Sequence, residues 1–254
     1  MSGKDLVVHS NFTSDDQEVQ ISRLKESPKS LKLCPSRSPD GVHDERSIRR
    51  LFVATDSRIS VWQLDALQPF AEIDNVEPGA LNVEFGGDEN EILVFQAWNT
   101  KISIHSLNDG LISVIKSPKT AHHLGFGYRP RTGEFAVLLK PETSDLLTIH
   151  KPKSYEIVNR TLLPTIDTQG LKWSPDGRWI AVWDVASSGT KVLIFTADGQ
   201  LFRTYSGPSD LEDAFDLGVK QIEWSPAAGP KGISETLAVG KVNGNIDLLR
   251  TRTV

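Results

Sequence analysis

A single cysteine, Cys34, stands among 254 residues, so no disulfide can form within the chain. That suits a reducing, intracellular compartment. Cys34 also falls where the stronger repeats described below carry serine, so it reads as a small strand residue rather than a reactive thiol. Long hydrophobic runs are missing too: none approaches the roughly 18 residues of a spanning helix. After Met1-Ser2-Gly3-Lys4-Asp5 the apolar stretch Leu6-Val7-Val8 gives way to polar residues, too short for the core of a signal peptide. Basic charge is not in excess. Lys and Arg total 28 against 33 Asp and Glu, a formal net charge of -5. The two signs are interspersed, and no basic stripe of the kind a phosphate backbone needs is present, which argues against nucleic acid as a partner.

The usual catalytic signatures are also missing. An α/β-hydrolase needs a Gly-x-Ser-x-Gly elbow, and Gly232-Ile233-Ser234-Glu235-Thr236 fails at its last position. No Gly-rich phosphate cradle precedes a helix. The histidines are His9, His43, His105, His122, His123 and His150. Only His122-His123 are close together, and neighbours on a strand point to opposite faces, so a shared metal is not expected. The reading is of no catalytic residue, no metal and no cofactor.

What the chain does have is ordinary soluble composition, 38% apolar and 24% charged, and a repeat. Trp173-Ser174-Pro175-Asp176-Gly177 ends one short strand and starts another. Trp224-Ser225-Pro226 is its clearest second copy. Weaker copies sit at Phe126-Gly127-Tyr128-Arg129-Pro130, Phe85-Gly86-Gly87-Asp88 and Leu33-Cys34-Pro35-Ser36. The anchors Leu33, Phe85, Phe126, Trp173 and Trp224 recur every 40–50 residues or so, with several strands per unit, which is the signature of propeller blades.

The expected fold is all-β, a propeller of about five blades over 31–73, 80–116, 122–162, 168–207 and 218–254. Each full unit has four runs rich in Val, Ile, Phe and Leu, bounded by Gly, Pro, Asn or Asp. Asn108-Asp109-Gly110 and Ala197-Asp198-Gly199 are tight hairpin turns. Residues 1–30 fit the repeat less cleanly and offer two strands, 5–10 and 18–24. The fifth unit lacks a fourth strand, which leaves backbone groups unpaired. Either the strand 18–24 fills that gap and closes a ring, or the chain is an open arc from a larger propeller. The second carries more weight, since terminal repeats are normally capped and no cap is visible.

From Gly170 through Ala181-Val182-Trp183-Asp184, Lys191-Val192-Leu193-Ile194-Phe195, Glu223-Trp224-Ser225-Pro226, Leu237-Ala238-Val239-Gly240 and Asn243-Gly244, the order of residues resembles the eighth-numbered WD-repeat family, which works at centrosomes and fungal spindle pole bodies. The specific part is 168–254. The chain departs from general WD grammar: it has no Gly-His dipeptide, and Trp62 is followed by Gln63 where Asp is usual. The resemblance implies a truncated, non-enzymatic scaffold in microtubule minus-end anchoring, cytoplasmic and cytoskeletal. The implied partners are a coiled-coil microtubule-anchoring protein and, in fungi, a minus-end-directed kinesin.

The residues offer two docking candidates. Asp210, Glu212, Asp213 and Asp216, interleaved with Leu211 and Phe215, lie in the long loop after the fourth unit, where a basic partner segment could bind; the plainer reading is a solvated loop. Trp98 ends a strand beside a turn and reads either as an exposed anchor or as a ring folded onto its own blade. Trp62, Trp173, Trp179, Trp183 and Trp224 read as core. Ser27-Pro28, Ser38-Pro39 and Ser117-Pro118 read as turn punctuation or as acceptors of proline-directed phosphate. Two rivals stay open: the propeller of a peptidase-type hydrolase, and a translation-factor propeller.

Overall fold

The computed structural model describes residues 4–10, 18–34, 50–74, 76, 80, 82–96, 100–207, 217–226 and 236–251. It is all-β, with antiparallel strands in six sheets and two short 3-10 turns, His123–Gly125 and Ala186–Ser188, among the described residues. The chain divides into two compact units, Met1–Val114 and Ile115–Val254.

In the first unit, β1 (Asp5–Ser10) and β2 (Glu18–Arg23) form a two-stranded sheet among the described residues. β3 (Ser30–Leu33), β4 (Arg50–Ala54), β5 (Arg58–Gln63) and β6 (Gln68–Asp74) form a four-stranded sheet. β7 (Asn82–Phe85), β8 (Glu91–Phe95), β9 (Lys101–Ser106) and β10 (Gly110–Lys116) form the next, with β10 running past the unit boundary. The second unit has β11 (Phe126–Tyr128), β12 (Phe135–Leu139), β13 (Leu146–His150) and β14 (Ile157–Leu162). It continues with β15 (Gly170–Trp173), β16 (Trp179–Trp183), β17 (Lys191–Thr196) and β18 (Leu201–Ser206). Its last sheet has three strands, β19 (Val219–Trp224), β20 (Thr236–Lys241) and β21 (Ile246–Arg250).

Within each four-stranded sheet, burial changes with strand position. The second strands β4, β8, β12 and β16 are buried along their whole length. Period-two alternation aims successive side chains at opposite faces, so such a strand must be covered on both. β16 shows how. Ile180 and Val182 join Ala136, Leu138, Leu147 and Ile149 of the preceding sheet, while Trp179, Ala181 and Trp183 join Ile222, Trp224, Leu237 and Val239 of the following one. In the first unit, Phe52 and Ala54 pack with Val83, Phe85, Ile92 and Val94, and Leu51 and Val53 pack with Leu6 and Leu24 of the β1–β2 hairpin. The outer strands β6, β10, β14 and β18 are mostly exposed.

The turn between β15 and β16 is closed by its own residues. Ser174 is buried; its Oγ donates to Asp176 Oδ1 at 2.5 Å and accepts from Trp179 N at 3.0 Å. Gly177 takes a φ of 70°, which favours glycine, and donates its N–H to Ser174 O at 2.8 Å.

The five expected anchors differ in their surroundings. Trp173, Trp224 and Phe85 are buried and pair with the second residue of the next strand, Ile180, Leu237 and Ile92. Leu33 has the same register opposite Leu51 but is 62% exposed. Its face looks towards β1–β2, and that two-stranded sheet covers Leu51 and Val53 without reaching β3. In the third unit the equivalent place belongs to Tyr128, whose partner Phe135 follows the hairpin residue Glu134 as Ile180 follows Trp179, rather than to Phe126, which pairs with Val137. The hairpin confirms the alignment: Arg129 N bonds Glu134 O at 2.8 Å as Ser174 N bonds Trp179 O at 2.9 Å. Phe126 keeps the same face two residues earlier and packs 5.9 Å from the Phe135 ring.

Candidate docking surface

In an antiparallel four-stranded sheet, the loops joining second to third strands share one end with the connections between sheets. In the second unit that end carries 140–145, 163–169, 184–190 and the long connection 207–217. The acidic candidates Asp210, Leu211, Glu212, Asp213, Phe215 and Asp216 lie outside the described residues, as does Trp98. What is described is the pair of feet from which the acidic loop springs.

Both feet stand on the β16–β17 loop. Gly207 N donates to Thr190 O at 2.7 Å, and the Thr190 hydroxyl donates to the Leu217 carbonyl. Gly218 accepts from Val242 N at 3.0 Å. Neither glycine has room for a side chain: a Cβ on Gly207 would lie 2.8 Å from Thr190, and one on Gly218 would clash with the Ala186 backbone. The two ends of the acidic segment are thus held close together by buried Thr190. Sequence reading could not find this clamp, because Thr190 is an unremarkable residue well before the loop.

Beside the clamp runs a chain of ion pairs. Lys119 Nζ lies 2.8 Å from both Asp145 carboxylate oxygens and 2.5 Å from Asp167 Oδ1, with only 9% of the Lys119 side chain exposed. Asp145 also accepts from Thr168 N at 2.7 Å. Asp184, fully buried, accepts from Ile166 N and Asp167 N, both at 2.8 Å, and its Oδ2 lies 3.6 Å from Lys191 Nζ. Burial opposes the charge on Lys119, but the hydrogen bonds and charges of Asp145 and Asp167 outweigh it and raise its pKa. The hydrogen bond from Lys119 is the main cause that lowers Asp167. These bonds link the sheet β11–β14 to β15–β18 and fix the loops that carry them. They occupy the carboxylates, and among the described residues no cluster of His, Cys, Asp or Glu is placed to hold a metal.

A separate groove of about 530 Å3 runs along the first strands β11, β15 and β19, lined in part by His123, Leu124, Tyr128, Lys172, Trp183 and Lys220. His123 starts the 3-10 turn before β11 and His122 caps it, both exposed. Cys34 is half-buried and packs against the β4–β8 cluster. No helix among the described residues is long and apolar enough to cross a membrane.

No protein-family model matches the chain. It is 27% identical over 192 residues to the mouse (Mus musculus) WD repeat-containing protein WRAP73, covering 75% of this chain and 38% of that protein. It is 30% identical over 138 residues to an uncharacterized WD repeat-containing protein of Schizosaccharomyces pombe, covering 54% of this chain and 28% of that one. The chain therefore spans well under half the length of these relatives. Among solved structures it is similar to Sqt1 of Saccharomyces cerevisiae, with TM-score 0.62 and 13% identity over 98% of this chain and 66% of that one. Hsv2 of Kluyvelomyces marxianus gives 0.60 and 14% over 93% and 63%. Hydrazine synthase of Kuenenia stuttgartiensis gives 0.53 and 14% over 92% and 74%, so proteins with very different names share the architecture, which does not by itself assign a role. The chain thus has the all-β blade architecture of WD-repeat propellers, and both relatives it resembles in sequence are WD repeat-containing proteins.

Proposed function

We propose that the chain is a non-enzymatic scaffold in microtubule minus-end anchoring at the centrosome or spindle pole body, and that it docks its partner on the acidic loop 207–217. The partner chemistry is a basic segment of a coiled-coil microtubule-anchoring protein, with a minus-end-directed kinesin held in the same assembly. The site of action is cytoplasmic and cytoskeletal. The observation that supports the reading is the clamp: Thr190 holds Gly207 and Leu217, the residues that flank the acidic segment. A loop with fixed ends loses less conformational freedom on binding. Its charge steers a basic partner and makes association sensitive to salt.

The test replaces Asp210, Glu212, Asp213 and Asp216 together by Lys and measures binding of the coiled-coil partner at low and physiological salt. Binding should weaken by about tenfold or more, in keeping with close charge pairs across an interface, while the melting temperature holds. Unaltered capture by a folded variant would remove the acidic loop from the docking surface.

A further inference from the structure

We propose that Ser27 is an acceptor for a proline-directed protein kinase, in a segment that the fold leaves open to it. Of the five Ser-Pro pairs, Ser38-Pro39 lies outside the described residues, Ser174 is buried in its own turn, Ser225 is bonded to Thr236 through both its N–H and its hydroxyl oxygen, and the structure separates the other two. Ser117 has a left-handed backbone, φ 56°. Its carbonyl accepts from Lys140 N at 2.9 Å, and Lys119 N donates to Leu138 O at 2.9 Å. Pro118 is buried and bridges Leu139, and the Lys119 side chain is held by Asp145 and Asp167. A kinase cleft takes its substrate as extended, accessible chain, and Ser117 could enter one only if these contacts opened.

Ser27 and Pro28 are both exposed, in the non-strand segment between β2 and β3. The segment is tied at its ends, where Leu24 N donates to Lys4 O at 2.6 Å and Lys29 N donates to Ala54 O at 2.8 Å. Between those ties, the Lys4 ammonium donates to Lys25 O at 3.2 Å, the Ser57 hydroxyl donates to the Glu26 carboxylate at 3.2 Å, and Lys29 pairs with Asp56, all on the surface, while no hydrogen bond among the described residues engages the Ser27 hydroxyl. Lys25 and Lys29 flank the serine and supply cations for a phosphate. In the transfer, Ser27 Oγ attacks the γ-phosphorus of a nucleoside triphosphate. The new O–P bond forms as the bond from that phosphorus to the bridging β,γ-oxygen breaks, the nucleoside diphosphate leaves, and the hydroxyl proton passes to the kinase's base. The product carries a dianion able to draw Lys29 away from Asp56.

The intact chain is incubated with a proline-directed Ser/Thr kinase and magnesium ATP, and sites are mapped by mass spectrometry beside synthetic peptides 22–32 and 112–122. Both peptides should be modified, and the folded chain should take phosphate at Ser27 while Ser117 is modified far more slowly than in its peptide. Ser27→Ala should lose that phosphate and keep its melting temperature. The proposal falls if Ser27 stays unmodified in the folded chain, if its peptide is refused, or if Ser117 reacts as fast folded as free.

Discussion

The indole of Trp173 donates Nε1–H to the Gly127 carbonyl, 3.2 Å away in the preceding sheet. Trp224 repeats the bond on Lys172 O at 3.1 Å. Gly127 precedes Tyr128 and Lys172 precedes Trp173, so the two acceptors hold equivalent positions in successive blades. The residues at this position are also paired along the first strands: Lys32 with Glu84, and Lys172 with Glu223. Each pair is partly exposed and adds little stability; the buried indoles set how neighbouring sheets meet. Gly127 matters because a Cβ there would lie 3.2 Å from Trp173 Cδ1, so the ring rests on bare backbone.

Trp173→Ala should destabilise the second unit by about 3–5 kcal/mol, as expected for a buried Trp. Trp173→Phe keeps most of the apolar contact but removes the donor, and should lose about 1–3 kcal/mol. Urea unfolding separates the two. A Trp173→Phe variant as stable as the parent would mean that the bond to Gly127 contributes nothing.

Lys119→Met leaves the Asp145 carboxylate, 2% exposed, without its cation. Breaking one side of a buried pair typically removes about 3–5 kcal/mol. Asp145→Asn added to Lys119→Met should restore a substantial part of it. A single variant as stable as the parent would show that the network is not structural.

Gly218→Ala should be destabilising by about 1–3 kcal/mol, as for other forced overpacking, since the new methyl meets Ala186 backbone rather than a side chain that can turn away. It should also weaken partner binding by shifting one foot of the acidic loop. A rise in melting temperature would contradict the packing described for this foot.

His150 is buried, with Nδ1 2.8 Å from Tyr155 O and Nε2 3.0 Å from Thr148 Oγ1. A carbonyl only accepts, so Nδ1 carries the proton and Nε2 accepts from the threonine. Burial lowers its pKa below the ordinary 6.5, and burial does the same for His105. Below 6.5 the unfolded chain then binds more protons than the folded one, so stability is complete above that pH and falls as pH drops from 7 towards 5. His150→Gln should show a shallower slope in unfolding free energy over that range. An unchanged slope would place the titration elsewhere.

Much of the fold is written locally. Alternating Val, Ile, Phe and Leu runs specify strands, and Asp-Gly and Asn-Gly pairs specify their hairpins. The Trp-Ser-Pro-Asp-Gly block is legible because its serine and aspartate close its own turn, within a few residues. The third anchor was harder to read: Phe126-Gly127 mimics Phe85-Gly86, yet Tyr128 holds the register, since what sets it is the hairpin from Arg129 to Glu134. The docking candidates could be named from charge alone, whereas the clamp on Gly207 and Leu217 could not.

By itself the sequence determined the all-β class, the repeat and the places where the chain turns, because these follow from propensities and spacings acting over a few residues. The tertiary structure alone decided which anchors are covered. Leu33 stays exposed because, among the described residues, the sheet on its side has two strands, and Trp173 is buried because a four-stranded sheet stands against it. Contacts such as Trp173 with Gly127, or Thr190 with Leu217, join residues far apart in the chain. They exist only once the sheets have stacked.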